Sequence, residues 1–288
     1  MGVTLRELKG RIRSAKKTQQ ITKTMQMVAA SRLKKSEETF RRAKPYHERM
    51  EVVLSHLMAS SGEVAHPFFE IRDVKTIGLV VVTSDRGLCG AYNSSIIARA
   101  EDFLKELRSQ EVKLILIGKK GHDYFQKREW PILFSVLDLG GRPDYQKISG
   151  ITDQLVEAYL SGQLDEVHVL HTNFISAMSS KPVLKKFLNV KQEAGSEERN
   201  AIPEFILEPD FEAIIDQFLS RQITSRMYSA LLESFTAENS SRMVAMKNAT
   251  DSANEMIDHL SLMGNKARQA AITKEILEIV TAGEAMKA

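Results

Sequence analysis

The sequence predicts an α/β fold: a small, mostly parallel, doubly wound (Rossmann-like) sheet domain inserted between two very long terminal helices that pair as an antiparallel coiled coil. Three observations predict it. A frame of alternating three- and four-residue steps runs from Leu5 to Leu57 without insertion. A similar frame runs from Met246 to Leu277, in a stretch without proline from Phe211 to Thr281. Between them the period changes to short, continuously apolar runs such as Ile77 to Val82, the pattern of strands buried on both faces.

The first helix passes through Leu5, Leu8, Ile12, Ala15, Gln19, Thr22, Gln26, Ala29 and Leu33, and on to Leu57. At a rise of ~1.5 Å per residue it would extend about 80 Å. Pro45 should bend it near residue 44, and Ser60-Ser61-Gly62 and His66-Pro67 should end it. Between Ala15 and Ala29 the frame carries no large apolar residue; Ile21, Met25 and Val28 lie one position away from it. Slow drift of a straight helix against a strict heptad is one reading. The other is that this stripe touches something besides the partner helix.

The middle segment reads as strands near 77–83, 112–118, 132–137 and 166–171, with a fifth at 183–190 on an edge. Helices near 93–109, 119–127 and 147–161 alternate with them. The last helix, opened by Asp210 as a cap, has a seam rich in Ala and Met that permits close approach and repacking. It is longer than the first, so its far end should project alone. The expected organisation is 1–59 for the first helix, 74–208 for the α/β domain and 209–288 for the last helix with its tip.

The chain of 288 residues is 43% hydrophobic, enough for a real core. One cysteine, Cys89, excludes an internal disulfide framework, and a buried thiol is the expected state. No stretch approaches the ~18 uninterrupted apolar residues of a membrane span, so a soluble, intracellular chain is expected, with any membrane link made through a partner. Residues 1–49 hold 14 Lys/Arg against 4 Asp/Glu, whereas residues 210–288 hold 8 against 11. So basic a block should meet an anionic surface. A nucleic-acid coiled coil fits less well, because this block has only Phe40 and Tyr46 as aromatics.

Gly87-Leu88-Cys89-Gly90 after the first strand, and Gly118-Lys119-Lys120-Gly121 after the second, lack the spacing of dinucleotide or phosphate-loop motifs. His168 and His171 lie three apart on a strand, on opposite faces, and cannot share a metal. No residue set suggests acid/base or nucleophilic catalysis, so no catalytic, cofactor-binding or metal residues are assigned. A nucleotide-using enzyme with helical arms would reveal itself by tight nucleotide binding to the isolated chain.

Four blocks then carry a resemblance. Thr18-Gln19-Gln20-Ile21-Thr22-Lys23-Thr24-Met25-Gln26-Met27-Val28-Ala29-Ala30-Ser31 resembles the N-terminal signature of the gamma subunit of F-type ATP synthases. Thr83 to Gly90 is similar to its central motif, and Arg242 to Asp251 and Asn265 to Thr273 to its C-terminal signatures. The resemblance implies a rotor shaft inside a hexamer of three alpha and three beta subunits, with the α/β domain at the foot beside epsilon and the c-ring. Proton flow would turn ring and shaft, and the asymmetric shaft would drive the beta sites through different affinities. No cofactor would be bound by this chain; Mg-ATP and ADP would belong to alpha and beta.

Carried over by motif position, Met25, Arg268, Gln269 and Thr273 face beta, with Ile21 and Val28 flanking Met25. Lys23, Arg32, Lys34 and Lys35 would meet acidic loops of beta, and Glu208 is a candidate for the c-ring. The chain would then sit peripherally on the cytoplasmic face of a bacterial inner membrane, without nucleic acid as a partner. With no inserted cysteine pair in the middle domain, thiol switching of the chloroplast type is not expected.

Overall fold

A computed structural model describes residues 4–60, 66–70, 72–107, 110–141, 144–189 and 211–285, apart from the side chains of 58–60, 211–213 and 284–285. Glu208 and the Asp210 cap lie outside the described residues. The elements are α1 (Leu5–Ser60), β1 (Thr76–Val82), α2 (Tyr92–Glu106), β2 (Glu111–Ile117), α3 (Lys119–Phe125), β3 (Ile132–Val136), α4 (Tyr145–Leu160), β4 (Glu166–Ser176), β5 (Ser179–Leu188) and α5 (Phe211–Ala285). The fold is α/β, with a long helix at each end of the described chain. The helical run of α1 continues through Pro45 without a break.

Packing groups the chain into two compact units, 1–29 with 243–288, and 30–242. The sequence segments follow secondary structure, whereas the units follow packing, so α1 and α5 each contribute to both.

In the larger unit the strand order is β3-β2-β1-β4-β5. The first four strands are parallel and β5 runs antiparallel to β4 at the edge. Period-two alternation explains the unbroken apolar runs. Val80, Val82, Ile115 and Ile117 face α4 and the first part of α5, joining Ile148, Leu155, Tyr159, Leu219 and Ile223. Leu79, Val81, Leu114 and Leu116 face α2, joining Ile96, Ala100 and Phe103. A strand covered on both sides needs an apolar side chain at every position, each worth ~1.5–3 kcal/mol when buried. Asp144 caps α4 by accepting from the N–H groups of Gln146 and Lys147 at 3.1 and 3.5 Å.

The fourth strand runs past the expected 171 to Ser176 and turns through Ala177-Met178 into β5. That turn has no Gly, Pro, Asn or Asp, so the usual sequence sign of a hairpin is missing. Ser240 Oγ donates to the Ala177 carbonyl and ties the hairpin to α5.

In the smaller unit, Gln19 Nε2 donates to Asn254 Oδ1 at 2.6 Å and Thr250 Oγ1 donates to Thr22 Oγ1 at 2.8 Å. Rising numbers on α1 meet falling numbers on α5, so the two segments are antiparallel. Leu8, Ala15, Thr22 and Ala29 are buried at strict seven-residue spacing. On α5 the frame differs from the expected one, which runs through Met246, Ala249, Ala253, Met256 and Leu260. Met246, Thr250, Ala253 and Leu260 are buried, while Met256 is 57% exposed and Ile257 is half-buried in its place. Seam positions can be counted from either Ala249 or Thr250, and the Thr22–Thr250 pairing selects the second phase.

Candidate partner interface

The off-frame stripe of α1 emerges on the outside of the smaller unit. Ile21 is 60% and Val28 49% exposed, Met25 is half-buried, and Lys23 is exposed. Lys17, Gln20, Ile21, Thr24 and Met25 line a shallow depression of about 410 Å³. Met27, one residue from Val28, is also exposed, and the sequence frame did not single it out. A contiguous apolar surface rimmed by lysine is what an association surface presents before its partner arrives.

On α5 no described residue beyond Leu260 is buried. The register of the two hydrogen bonds carries Leu5 to about Ala267, so beyond that point α1 offers α5 no partner. Arg268, Gln269 and Thr273 all lie on this uncovered stretch and are exposed; Thr273 Oγ1 donates back to the Gln269 carbonyl at 3.0 Å. Ile272, Ile276, Leu277, Ile279 and Val280 are exposed there too. The apolar frame continuing to Leu277 and the excess length of the last helix over the first were both visible in the sequence.

Arg32, Lys34 and Lys35 belong to the larger unit and are exposed. The same unit holds the Thr83–Gly90 segment, several of whose residues hold neighbouring chain in place. Thr83 Oγ1 donates to the Ile117 carbonyl at 3.1 Å and accepts the Gly121 N–H at 2.8 Å. The Asp85 carboxylate accepts the N–H groups of Lys119, Asp138 and Gly140 at 3.1, 3.1 and 3.0 Å. Cys89 is buried with Tyr92, Ala237 and Phe174.

In doubly wound sheets the crevice at the strand-order reversal, here between β1 and β4, is where ligands usually bind. In this chain α5 occupies that place. Arg242 donates to the carbonyls of Arg86 and Gly87 beyond β1. Ser234 Oγ accepts the Thr172 N–H of β4 at 3.1 Å. Residues 231–240 are buried apart from half-buried Glu233, and many are polar: Ser234, Thr236, Glu238, Asn239 and Ser240. Burial raises the Glu238 carboxyl above its ordinary range, against the lowering pull of Arg242.

A family model described as ATP synthase matches residues 4–286. The chain is 41% identical over 288 residues to the ATP synthase gamma chain of Heliobacterium modesticaldum, covering 98% of this chain and 99% of that one. The chain belongs to the ATP synthase gamma-chain family.

Another gamma chain, from Protochlamydia amoebophila, is 39% identical over 284 residues, 99% of each chain. Among solved structures, a chain from the central stalk and c-ring of the Tetrahymena thermophila mitochondrial ATP synthase matches with a TM-score of 0.60 and 26% identity, over 80% of this chain and 99% of that one. A chain of the Euglena gracilis mitochondrial ATP synthase matches in fold with a TM-score of 0.72 at 20% identity, over 98% of this chain and 94% of that one. The Thr83–Gly90 block, similar to the family's central motif, holds neighbouring loops through the Thr83 and Asp85 side chains and α5 through the Arg86 and Gly87 carbonyls.

Proposed function

We propose that the chain is the central-stalk rotor subunit of a bacterial proton-translocating ATP synthase. It couples rotation of the c-ring to the catalytic sites of an alpha/beta hexamer and is itself non-catalytic. The observation that carries this reading is the uncovered, apolar outer surface of the helix pair. A shaft can change a site's affinity only through contacts that differ between its angular positions. Ile21, Met25 and Val28 on one helix, and Arg268, Gln269 and Thr273 on the other, supply such contacts on an asymmetric rod. Lys23, Arg32, Lys34 and Lys35 add attraction to acidic loops without a desolvated ion pair, which would hold one angle too firmly.

Mg-ATP and ADP bind to alpha and beta, not here; the filling of the switch-point crevice by α5 supports this. The larger unit meets epsilon and the c-ring, with Glu208 as a contact to the ring. No described helix is long and apolar enough to cross a membrane, so attachment to the inner membrane runs through the ring. The test is purification of the tagged chain from native membranes in mild detergent. Recovery with a nucleotide-hydrolysing alpha/beta hexamer, epsilon and a c-ring is expected. Recovery of the chain alone, or tight ATP binding by the isolated chain, would overturn the reading.

A further inference from the structure

Between Glu37 and Val52, α1 is rich in charge, and most of that charge is matched within the helix. Glu37 and Arg41 pair at 2.8 Å, Lys44 and Glu48 at 3.6 Å, and His47 and Glu51 at 3.4 Å, all at i, i+4 spacing. Arg42 and Arg49 stand outside this pattern. Among the described residues neither guanidinium has an ion pair or a hydrogen bond. The sequence gives Arg49 no acid within a turn: Pro45, Tyr46, Val52 and Val53 occupy those places. Glu38 lies one turn before Arg42, but no ion pair forms between them.

Arg42, Tyr46 and Arg49 follow i, i+4, i+7 spacing and therefore share one face of the helix. That face is open: both arginines are exposed, the Tyr46 ring is 56% exposed, and Val52 beside it 49%. Among the described residues no cation–π contact ties either guanidinium to the ring.

Arginine and tyrosine carry much of the energy of protein interfaces. A guanidinium presents two parallel N–H groups to one carboxylate, and a tyrosine ring offers flat apolar area with few torsions to freeze. The neighbours then select the shape of the partner. Exposed Glu38 and Glu48 border the face, so a broad anionic surface, a membrane or a nucleic-acid backbone, would press on carboxylates as well as cations. A narrow element meets the arginines alone. They lie seven residues apart, about 10 Å along the axis, and a helix repeats its own face over the same interval.

We propose that Arg42, Tyr46 and Arg49 form a docking face for an acidic helix of a partner protein. Two carboxylates seven residues apart on that helix each take one arginine, and the apolar side chain between them lies on the Tyr46 ring. The contacts remain at the surface, so the attraction is screened by salt. The inference goes beyond the rotor reading and does not depend on it, because it is tested on the chain itself.

The probe is a fluorescein-labelled helical peptide of alanine and glutamine with two glutamates seven residues apart and a leucine midway. Its anisotropy is followed on titration with the full-length chain at low salt. Saturable binding is expected, several-fold weaker when both glutamates are replaced by glutamine, and several-fold weaker again above about 0.3 M salt. Arg42→Gln combined with Arg49→Gln should weaken binding about tenfold, and Tyr46→Ala about threefold or more. Arg11→Gln combined with Arg13→Gln removes the same charge elsewhere on α1 and should leave binding within about twofold, since screening confines the effect of a surface charge to about 10 Å. Unchanged Trp130 fluorescence would verify that the variants are folded. Absence of peptide binding overturns the proposal, as does equal weakening by the two double substitutions. Tighter, Arg42- and Arg49-dependent binding to vesicles of equal phosphatidylglycerol and phosphatidylcholine than to the peptide overturns it in favour of a lipid surface.

Discussion

Arg242 donates one guanidinium N–H to Glu238 Oε1 at 2.7 Å, one helical turn away on α5, while the same group reaches the Arg86 carbonyl at 3.1 Å and Gly87 at 3.3 Å. The ion pair is buried and hydrogen-bonded, so removing one partner should cost about 3–5 kcal/mol, mostly through the charge left behind. Arg242→Met is expected to lower the urea midpoint of the larger unit, followed by the fluorescence of Trp130.

The same pair predicts a pH dependence. Glu238 has its folded proton affinity raised by burial above the ordinary value of 4.5. The sign follows: its contribution to stability is fully present below pH 4.5 and is lost as pH rises through the raised folded value. Without Arg242 the raising grows, so the Arg242→Met variant should lose stability more steeply above pH 4.5 than the parent does. Urea midpoints across the pH range check this, and parallel curves would contradict it.

Gly118 has φ +94°, and a Cβ there would sit 2.1 Å from the Thr83 carbonyl oxygen. Gly118→Ala combines a left-handed backbone with a collision against main chain, so a loss of ~3 kcal/mol or more is expected. Thermal unfolding of the purified variant measures it. A change under about 1 kcal/mol would mean that the β1 and β2 ends are free to separate.

Asp85 ties together the chain segments that follow β1, β2 and β3 through three backbone N–H groups. Asp85→Ala should cost about 2–4 kcal/mol, since charge-assisted bonds are worth ~1.5–3 kcal/mol each and this carboxylate is only half-buried. Hydrogen exchange at Lys119, Asp138 and Gly140 should accelerate well before the strand cores do.

Met25→Lys places a third cation beside Lys17 and Lys23 on the surface proposed to slide against the beta subunit. The variant should assemble, because Met25 lies outside the buried heptad positions. Proton pumping per ATP hydrolysed, measured in inverted membrane vesicles, should fall several-fold through extra charge attraction at selected angles. Pumping equal to the parent's would remove Met25 from the interface.

The periodicities were legible before any coordinates, as were both long helices, the order of strands and helices, and the off-frame position of Ile21 and Val28. Other features were not. The β4–β5 hairpin turns on Ala177-Met178, residues without turn chemistry. The α5 frame was counted through Ala249 and Met256, whereas Thr250 and Ile257 hold the more buried positions. The ring of contacts made by Arg242 joins residues about 155 positions apart, a separation at which no local pattern survives.

Local sequence determined which segments became helix or strand, because hydrophobic periodicity and backbone preference act over a few residues. It also determined family membership, through four blocks kept in order along the chain. Tertiary packing alone decided which phase of α5 is buried and that α5 occupies the crevice where such sheets usually hold a ligand. Those outcomes depend on which distant surfaces meet, and burial and hydrogen bonding between distant surfaces leave no periodic trace in either partner.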